Sequence, residues 1–255
     1  MHSPDPDDHE DTPRDVIGSR SEYPPDFELA RHHHRRSQLL YAAAGVVTVD
    51  TDQGAWVAPP ERAVWIPAGV RHAVKMVGAV STRSVLISRD IRPDHGGRCE
   101  VLAVSTLLRS LLIAAADVPL EYDLGGRDGL VMALLMEEIA AAPVIHLSVP
   151  FPHGVELARK CHAFLANPDA QQTIDAWSGD LNLGRRAFTR AFRRETGMSF
   201  AAWRQQACLL AALPRLAAGE PVTAVALDLG YDSPAAFSTM FKRLLGIPPS
   251  RYRGA

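Results

Sequence analysis

The sequence predicts an α+β chain: a small N-terminal β-barrel, then an all-α domain with two helix-turn-helix units. Three observations predict it. Between Phe27 and Arg89, short runs rich in Val, Ile, Thr and Trp are separated by Gly, Pro and Asp, as in consecutive strands. From Val101 onward apolar residues recur at three and four, the helical period. Charge is also uneven. Residues 1–24 carry seven acids against two bases, and residues 155–255 thirteen bases against eight acids, on a chain of formal net charge -2. A basic C-terminal third points to a polyanionic partner, although a solvated surface gives the same count.

A chain of 255 residues, 47% of them hydrophobic, suggests two modest domains able to bury cores. Residues 1–24 lack apolar periodicity and read as a disordered acidic tail. This acidic, Pro-rich start is the opposite of a signal peptide. No apolar run reaches the roughly 18 residues of a membrane span, since Arg109 interrupts the nearest approach, Val101–Ala116. Cys99, Cys161 and Cys208 are far apart and form no CxxC, which suits buried, reduced thiols in a cytoplasmic protein.

Six strand candidates follow: Ser37–Ala43, Val46–Thr51, Ala55–Ala58, Ala63–Ile66, His72–Val77 and Val80–Ser88. That many short strands in so few residues suggests a small barrel or sandwich. Val101–Ala116 and Gly129–Ala142 then read as helices with more apolar surface than one face needs. Packing onto the barrel and a homodimer interface are both open. The two prolines of Ser148–Gly154 mark a linker. Helices are expected at Glu156–Ala166, Thr173–Asp180, Arg185–Glu195, Phe200–Ala218, Val222–Leu229 and Pro234–Leu245. Pro214 should kink or split the fourth of these. The resulting division is a tail at 1–24, a small barrel at 25–95, a helical linker or dimerisation segment at 96–147, and an all-α domain at 155–255.

Two helix pairs carry the DNA-binding expectation. In the second pair Val222, Val225, Ala226 and Leu229 share one face. Gly230 supplies a turn, Ser233 an N-cap and Pro234 a first helical residue. In the first pair Asn182 can take the left-handed turn conformation. Ala187, Phe188, Ala191 and Phe192 form the buried stripe there, and Arg186, Arg190 and Arg193 line the opposite face. Stacked guanidinium groups suit guanine edges and phosphates.

The block from Trp177 to Arg253 resembles the DNA-binding domain of the AraC/XylS family. The likeness covers about a hundred residues, Val155 to Arg253, and rests on Arg186, Arg190, Phe192, Gly197, Ala226, Gly230, Tyr231, Ser233, Phe237, Phe241, Gly246, Pro248, Tyr252 and Arg253. The resemblance implies two recognition helices in successive major grooves. Arg186, Thr189 and Arg190 would contact bases from the first, with Pro234, Ala235 and Thr239 at the matching places of the second. Ser178, Asn182 and Gly184 depart from the usual Ala, Gly and Ser. The second helix offers only small groups, Ala235, Ser238 and Thr239, with Lys242 and Arg243 for phosphate. Most base readout therefore falls to the first.

The N-terminal half holds His32-x-His34-x3-Gln38 and Pro67-x-Gly69-x2-His72. Residues two apart on a strand face one side, so His32 and His34 can converge, joined by Gln38 and His72. Three imidazoles and an oxygen suit a divalent transition metal. The spacing resembles the cupin motifs, with Gln38 in place of a glutamate and Met76 where an Asn is common. A solvated polar loop at His32–Arg36 is the alternative. So is a metal-free barrel binding an organic effector, with Tyr41, Trp56 and Trp65 as candidate lining. The whole arrangement resembles a cupin-bearing branch of AraC/XylS regulators, implying a repressor or effector-responsive switch on neighbouring genes such as a transporter. The rival is a metal-dependent cupin enzyme with a helical appendix. It requires further acid-base residues in the barrel, where only Glu61, Asp50 and Asp52 stand near turns. It also leaves the C-terminal hundred residues without a role.

Overall fold

The computed structural model describes residues 11–58, 61–91, 95, 97–145 and 147–252. Residues 1–10 of the tail expected at 1–24 and the family mark Arg253 lie outside them. The chain forms two compact units. One runs to Thr51 and resumes over Trp56–Leu147; the other comprises Asp52–Ala55 and the chain from Ser148 onward.

The first unit is an antiparallel sheet with a helical pair. Its elements are β1 (Val16–Tyr23), β2 (Glu28–His32), β3 (Ser37–Thr51), the Trp56–Ala58 end of β4 (Gly54–Ala58), β5 (Arg62–Ile66), β6 (His72–Ile87), β7 (Glu100–Ala103), α1 (Thr106–Ala115), α2 (Arg127–Ala141) and β8 (Val144–Ile145). The sheet path is β1-β6-β3-β5-β7-β8, with β2 on β6. Leu39, Tyr41, Trp65 and Val85 from the strands meet Leu108, Leu112, Leu135 and Ile139 from α1 and α2 in one core. Ser105 caps α1 through the Leu108 amide, satisfying one of the free N–H groups of the first turn.

Several sequence expectations change here. Val16–Tyr23 is not tail: it pairs residue for residue with β6 from Val80 to Ile87. The four strands expected at 37–51 and 72–88 are two long ones. Gly45 and Gly78 have φ of 76° and 72°, and β3 shifts register between Ala42 and Val46. These glycines therefore bend a continuous strand rather than end one. Residues 101–103 are strand, paired with Ala63–Arg62 and Val64 of β5, and the helix starts only at Thr106. The expected boundary at 95–96 thus falls inside a single unit.

The second unit contains β9 (Ser148–Pro150), α3 (Val155–Ala166), α4 (Ile174–Asp180), α5 (Arg185–Thr196), α6 (Phe200–Ala217), α7 (Val222–Asp228), α8 (Pro234–Leu245) and a 3-10 turn at Pro249–Arg251. The segment expected as a linker is tied in. Phe151 is buried, and the Trp203 indole donates to the Pro150 carbonyl at 2.8 Å. Trp177, Phe188, Phe192, Phe200 and Trp203 form an aromatic core with neighbouring centroids 4.8–6.4 Å apart. Pro214 does not split α6, because it lies in the last turn, where one lost N–H bond interrupts little ladder. Among the described residues no helix is long and apolar enough to cross a membrane.

Candidate functional site

The helical unit sets two helix pairs in a common frame. Thr173 caps α4 through the Ala176 amide. The turn to α5 passes through Asn182 at φ 52°, the left-handed conformation that its residue type allows. Gly184 begins α5 without a side-chain cap, and Gly197 ends it in the left-handed conformation. The departure at Ser178 is accommodated: the side chain is buried and its hydroxyl donates to the Asp175 carbonyl at 3.2 Å. In the second pair Ser233 caps α8 through the Ala236 amide, and Gly246 closes it.

With Phe188 and Phe192 buried, α5 exposes Arg185, Arg186, Thr189, Arg190, Arg193 and Arg194. Arg185 is held by both Asp175 carboxylate oxygens at 2.9 and 3.1 Å, and Arg194 by Glu195 at 3.2 Å. Arg186, Arg190 and Arg193 form no ion pair among the described residues, so three uncommitted guanidinium groups remain on the open face. On α8 the exposed residues are Ala235, Ala236, Thr239, Lys242 and Arg243, with Pro234 and Ser238 half-buried. Arg243 donates to the Gln205 amide oxygen at 2.6 Å, which leaves Lys242 as the uncommitted cation of that helix. Thr189 and Thr239 donate their hydroxyls to the Arg185 and Ala235 carbonyls at 2.8 and 2.9 Å. What remains of each is a methyl group and an acceptor lone pair.

Sequence reading missed the brace between the two pairs. The loop before α4 reaches the α7–α8 turn: the Ala170 amide donates to the Leu229 carbonyl, and the Gln171 amide group to the Gly230 carbonyl and Asp232 carboxylate at 2.9 and 2.8 Å. Gln172 accepts from the Trp177 indole at 2.6 Å, and its carbonyl accepts from Arg204 of α6. Gln171 and Gln172 carry no local periodic signal, since their partners are far away in sequence.

In the sheet unit the predicted histidines converge. His32 and His72 are register partners on β2 and β6, and His34 follows on the connection to β3. Ring centroids lie 4.8 Å (32–34), 4.4 Å (32–72) and 5.4 Å (34–72) apart. One ligand atom from each lies within 4.8 Å of the others. The second motif builds this locally. Gly69, at φ 79°, makes the turn, its amide donates to the His34 carbonyl at 2.8 Å, and Val70 closes back on Pro67. His32 and His72 hold the Ala30 and Val70 carbonyls through Nδ1 at 2.7 and 2.9 Å. A carbonyl only accepts, so Nδ1 carries the proton and Nε2 presents its lone pair.

His34 and His72 are buried, and burial pushes the His72 imidazole down to about 4, with the other histidines adding to the shift. The ring is therefore neutral near pH 7. Gln38 is buried on β3. Its amide group donates to the Ser84 hydroxyl at 3.2 Å, and its Oε1 has no hydrogen-bond partner among the described residues; the same holds for His72 Nε2. Gln38 and His32 line a cavity of about 20 Å³ with Ser19, Ser21, Tyr23 and Thr82. The solvated-loop alternative fails at His34 and Arg36, both buried. Tyr41 and Trp65 belong to the core and, like Trp56, do not line this cavity.

Comparison with known proteins places both halves. Residues 16–138 match the family described as AraC-like ligand binding domain, and residues 177–255 the family described as Helix-turn-helix domain. The HTH-type transcriptional regulator NimR of Escherichia coli (strain K12) is 33% identical over 221 residues, covering 87% of this chain and 81% of that protein. Among solved structures, ToxT from Vibrio cholerae O395 aligns over 93% of this chain and 96% of its own, at 11% identity and TM-score 0.39. The C-terminal domain of AraT, a response regulator from Geobacillus stearothermophilus, aligns over 37% of this chain and 80% of its own, at 25% identity and TM-score 0.35.

Proposed function

The chain belongs to the AraC family of DNA-binding transcription regulators, and from that premise we propose that α5 reads base edges, α8 chiefly anchors the second contact, and the sheet unit binds a divalent metal. The observation that carries the readout is the open face of α5. Arg186 and Arg190 are uncommitted and suited to guanine O6 and N7. Arg193 and Lys242 are placed for phosphate. Thr189, Ala235 and Thr239 offer methyl groups that suit thymine, and Pro234 and Ser238 flank them. The chain acts as an effector-responsive switch in the cytoplasm, where its DNA lies. It does so as a homodimer, joined through α2.

The test is fluorescence anisotropy of the full chain on a duplex selected from a random library. Log affinity falls with log salt by about 0.9 per phosphate neutralised. Arg186→Ala and Arg190→Ala each cost roughly 1–3 kcal/mol on that duplex and relax preference at one base pair, whereas Lys242→Ala weakens all duplexes alike and lowers the salt slope by about one. Retention of full sequence preference by both arginine variants sinks the assignment to α5.

The metal reading rests on the three converging imidazoles, two with Nε2 exposed to the centre by carbonyl-held Nδ1 groups. His32, His34 and His72 hold the ion, and Gln38 Oε1 is the neutral fourth donor. A neutral, nitrogen-rich set suits zinc, nickel, cobalt or copper over magnesium or calcium. A metal-dependent enzyme would draw on the same three histidines, since among the described residues the groups of three or more His, Cys, Asp or Glu that could hold a metal reduce to this triad; the family and the open face of α5 favour the regulator.

A further inference from the structure

We propose that the metal ion is itself the signal to which this regulator responds, and that Arg36 carries its presence from the histidines to the α1–α2 hairpin. This rests on the metal reading above and names the effector class that goes with it.

The first ground is space. A pocket that takes a small organic effector has a volume of about 300–1,000 Å³. The cavity beside His32 and Gln38 has about 20 Å³, room for about one water. Leu29, Leu40, Val74, Met76 and Leu86 make up the apolar part of its lining. Of the three histidines only His32 lines this cavity, so it would hold a water or hydroxide beside the ion, and it is too small for a sugar or an aromatic ring.

The second ground is connection. His32 and His72 stand on paired strands, while His34 stands on the connection between β2 and β3, its carbonyl held by the Gly69 amide, so an ion that joins the three loads that connection. Two residues beyond His34, the buried Arg36 guanidinium donates to three main-chain carbonyls: Thr12 at 2.8 Å, Arg14 at 2.8 Å and Asp15 at 3.2 Å. Arg35 adds an ion pair to Asp11 at 2.6 Å. The segment so gripped is fastened at its other side to the α1–α2 connection. Arg14 donates to the Tyr122 carbonyl at 2.8 Å and lies over its ring, and the Tyr122 hydroxyl donates to the Val16 carbonyl at 3.1 Å. A buried guanidinium bound only to carbonyls of one short segment moves with that segment, because leaving any of these bonds unmade costs free energy. The histidine loop, residues 11–16 and the helical hairpin are therefore one mechanical unit.

The experiment uses the full chain, stripped of metal and titrated with Zn²⁺, with binding followed by calorimetry and elemental analysis and DNA affinity by anisotropy on the selected duplex. Zn²⁺ binds one per chain and changes DNA affinity by about tenfold, within the usual range of coupling between two sites. Arg36→Gln binds Zn²⁺ within about threefold of the parent, yet its DNA affinity changes less than about twofold on adding the ion, because the link is cut. Tyr122→Phe, which removes only the Val16 bond, keeps the fold and shows a reduced response. Stoichiometric Zn²⁺ binding with unchanged DNA affinity overturns this proposal and leaves the metal reading standing. Failure to bind Zn²⁺, Ni²⁺, Co²⁺ or Mn²⁺ overturns both. A full response in both Arg36→Gln and Tyr122→Phe overturns the route.

Discussion

Gly230 holds the α7–α8 turn at φ 76°, and a β-carbon there would sit 2.2 Å from the Asp169 carboxylate. The left-handed conformation alone costs an L-residue roughly 1–2 kcal/mol, and Asp169 would also have to leave the Gln171 amide it caps at 2.8 Å. Gly230→Ala is expected to lose about 2–4 kcal/mol in urea denaturation. Gly197→Ala has the same φ but open space, and should lose only about 1 kcal/mol; equal losses would refute the steric part. The three cysteines give a second residue-scale prediction. Burial pushes the thiols of Cys99, Cys161 and Cys208 from 9.0 up to about 12. Unfolded thiols ionise near 9 and folded ones only near 12, so their contribution to stability is complete below pH 9 and is lost as pH rises through 12. Thermal melts should decline over that window, less so for Cys208→Ala relative to its own neutral value. A thiol reagent at pH 8 should label the native chain slowly and the unfolded chain at three sites. Buried thiols could be read from spacing and composition. The burial of Arg36 could not, because its three carbonyl partners lie in a segment without any apolar pattern.

Among the elements, the helical half was legible because its signals are local. Ser233, Pro234, Gly197 and Gly246 mark helix ends within a few residues of the bonds they make. The sheet was less so. β1 hides because Ser19, Ser21 and Tyr23 line a cavity of mixed polarity, which replaces apolar alternation with hydroxyls. β7 hides because Val101–Ala103 continues into α1 with one apolar run, and only its pairing with β5 separates them. The histidine site survived these errors, since both motifs are short and the second builds its own turn at Pro67–Val70. The brace at Asp169–Gln172 is the opposite case. It joins α4, α6 and the α7–α8 turn, and so ties the two helix pairs together. Gln171→Ala removes two hydrogen bonds from an exposed position, worth about 0.5–1.5 kcal/mol each. Stability should therefore change little. Discrimination against a duplex with one base pair inserted between the two half-contacts should weaken, by about three- to tenfold if the brace supplies that rigidity. Unchanged spacing discrimination with unchanged stability would mean that α6 alone sets the offset.

For the whole molecule the question is how one chain meets another. α2 buries Gly129, Met132, Leu135 and Ile139 against the sheet unit, and its other side exposes Arg127, Leu130, Ala133, Leu134, Glu137 and Ala141. Leu130 and Leu134 are 67% and 45% exposed, more apolar surface than a solvated helix needs. The stripe 127–130–134–137–141 advances by three and four, the seam of a helix pair. It is also self-complementary. If two copies of α2 pack antiparallel about Met132, Leu130 meets Leu134 of the other copy and Arg127 meets Glu137, which is what a twofold interface requires. Among the described residues Arg127 has only an exposed pair with Asp128 at 3.1 Å, worth little. Leu134→Glu places a charge in the seam and should convert the chain to monomer in sedimentation velocity. Arg127→Glu should weaken the dimer through like-charge contact with Glu137, and the double variant Arg127→Glu, Glu137→Arg should restore it, since the coupling of contacting residues survives an exchange of sign. DNA affinity should fall with the monomers and return with the double variant, because a dimer brings two sets of α5 and α8 to one duplex. A double variant as weak as Arg127→Glu would place the interface on another face, with Leu107 and Ile113 of α1, 47% and 41% exposed, the next to be tested.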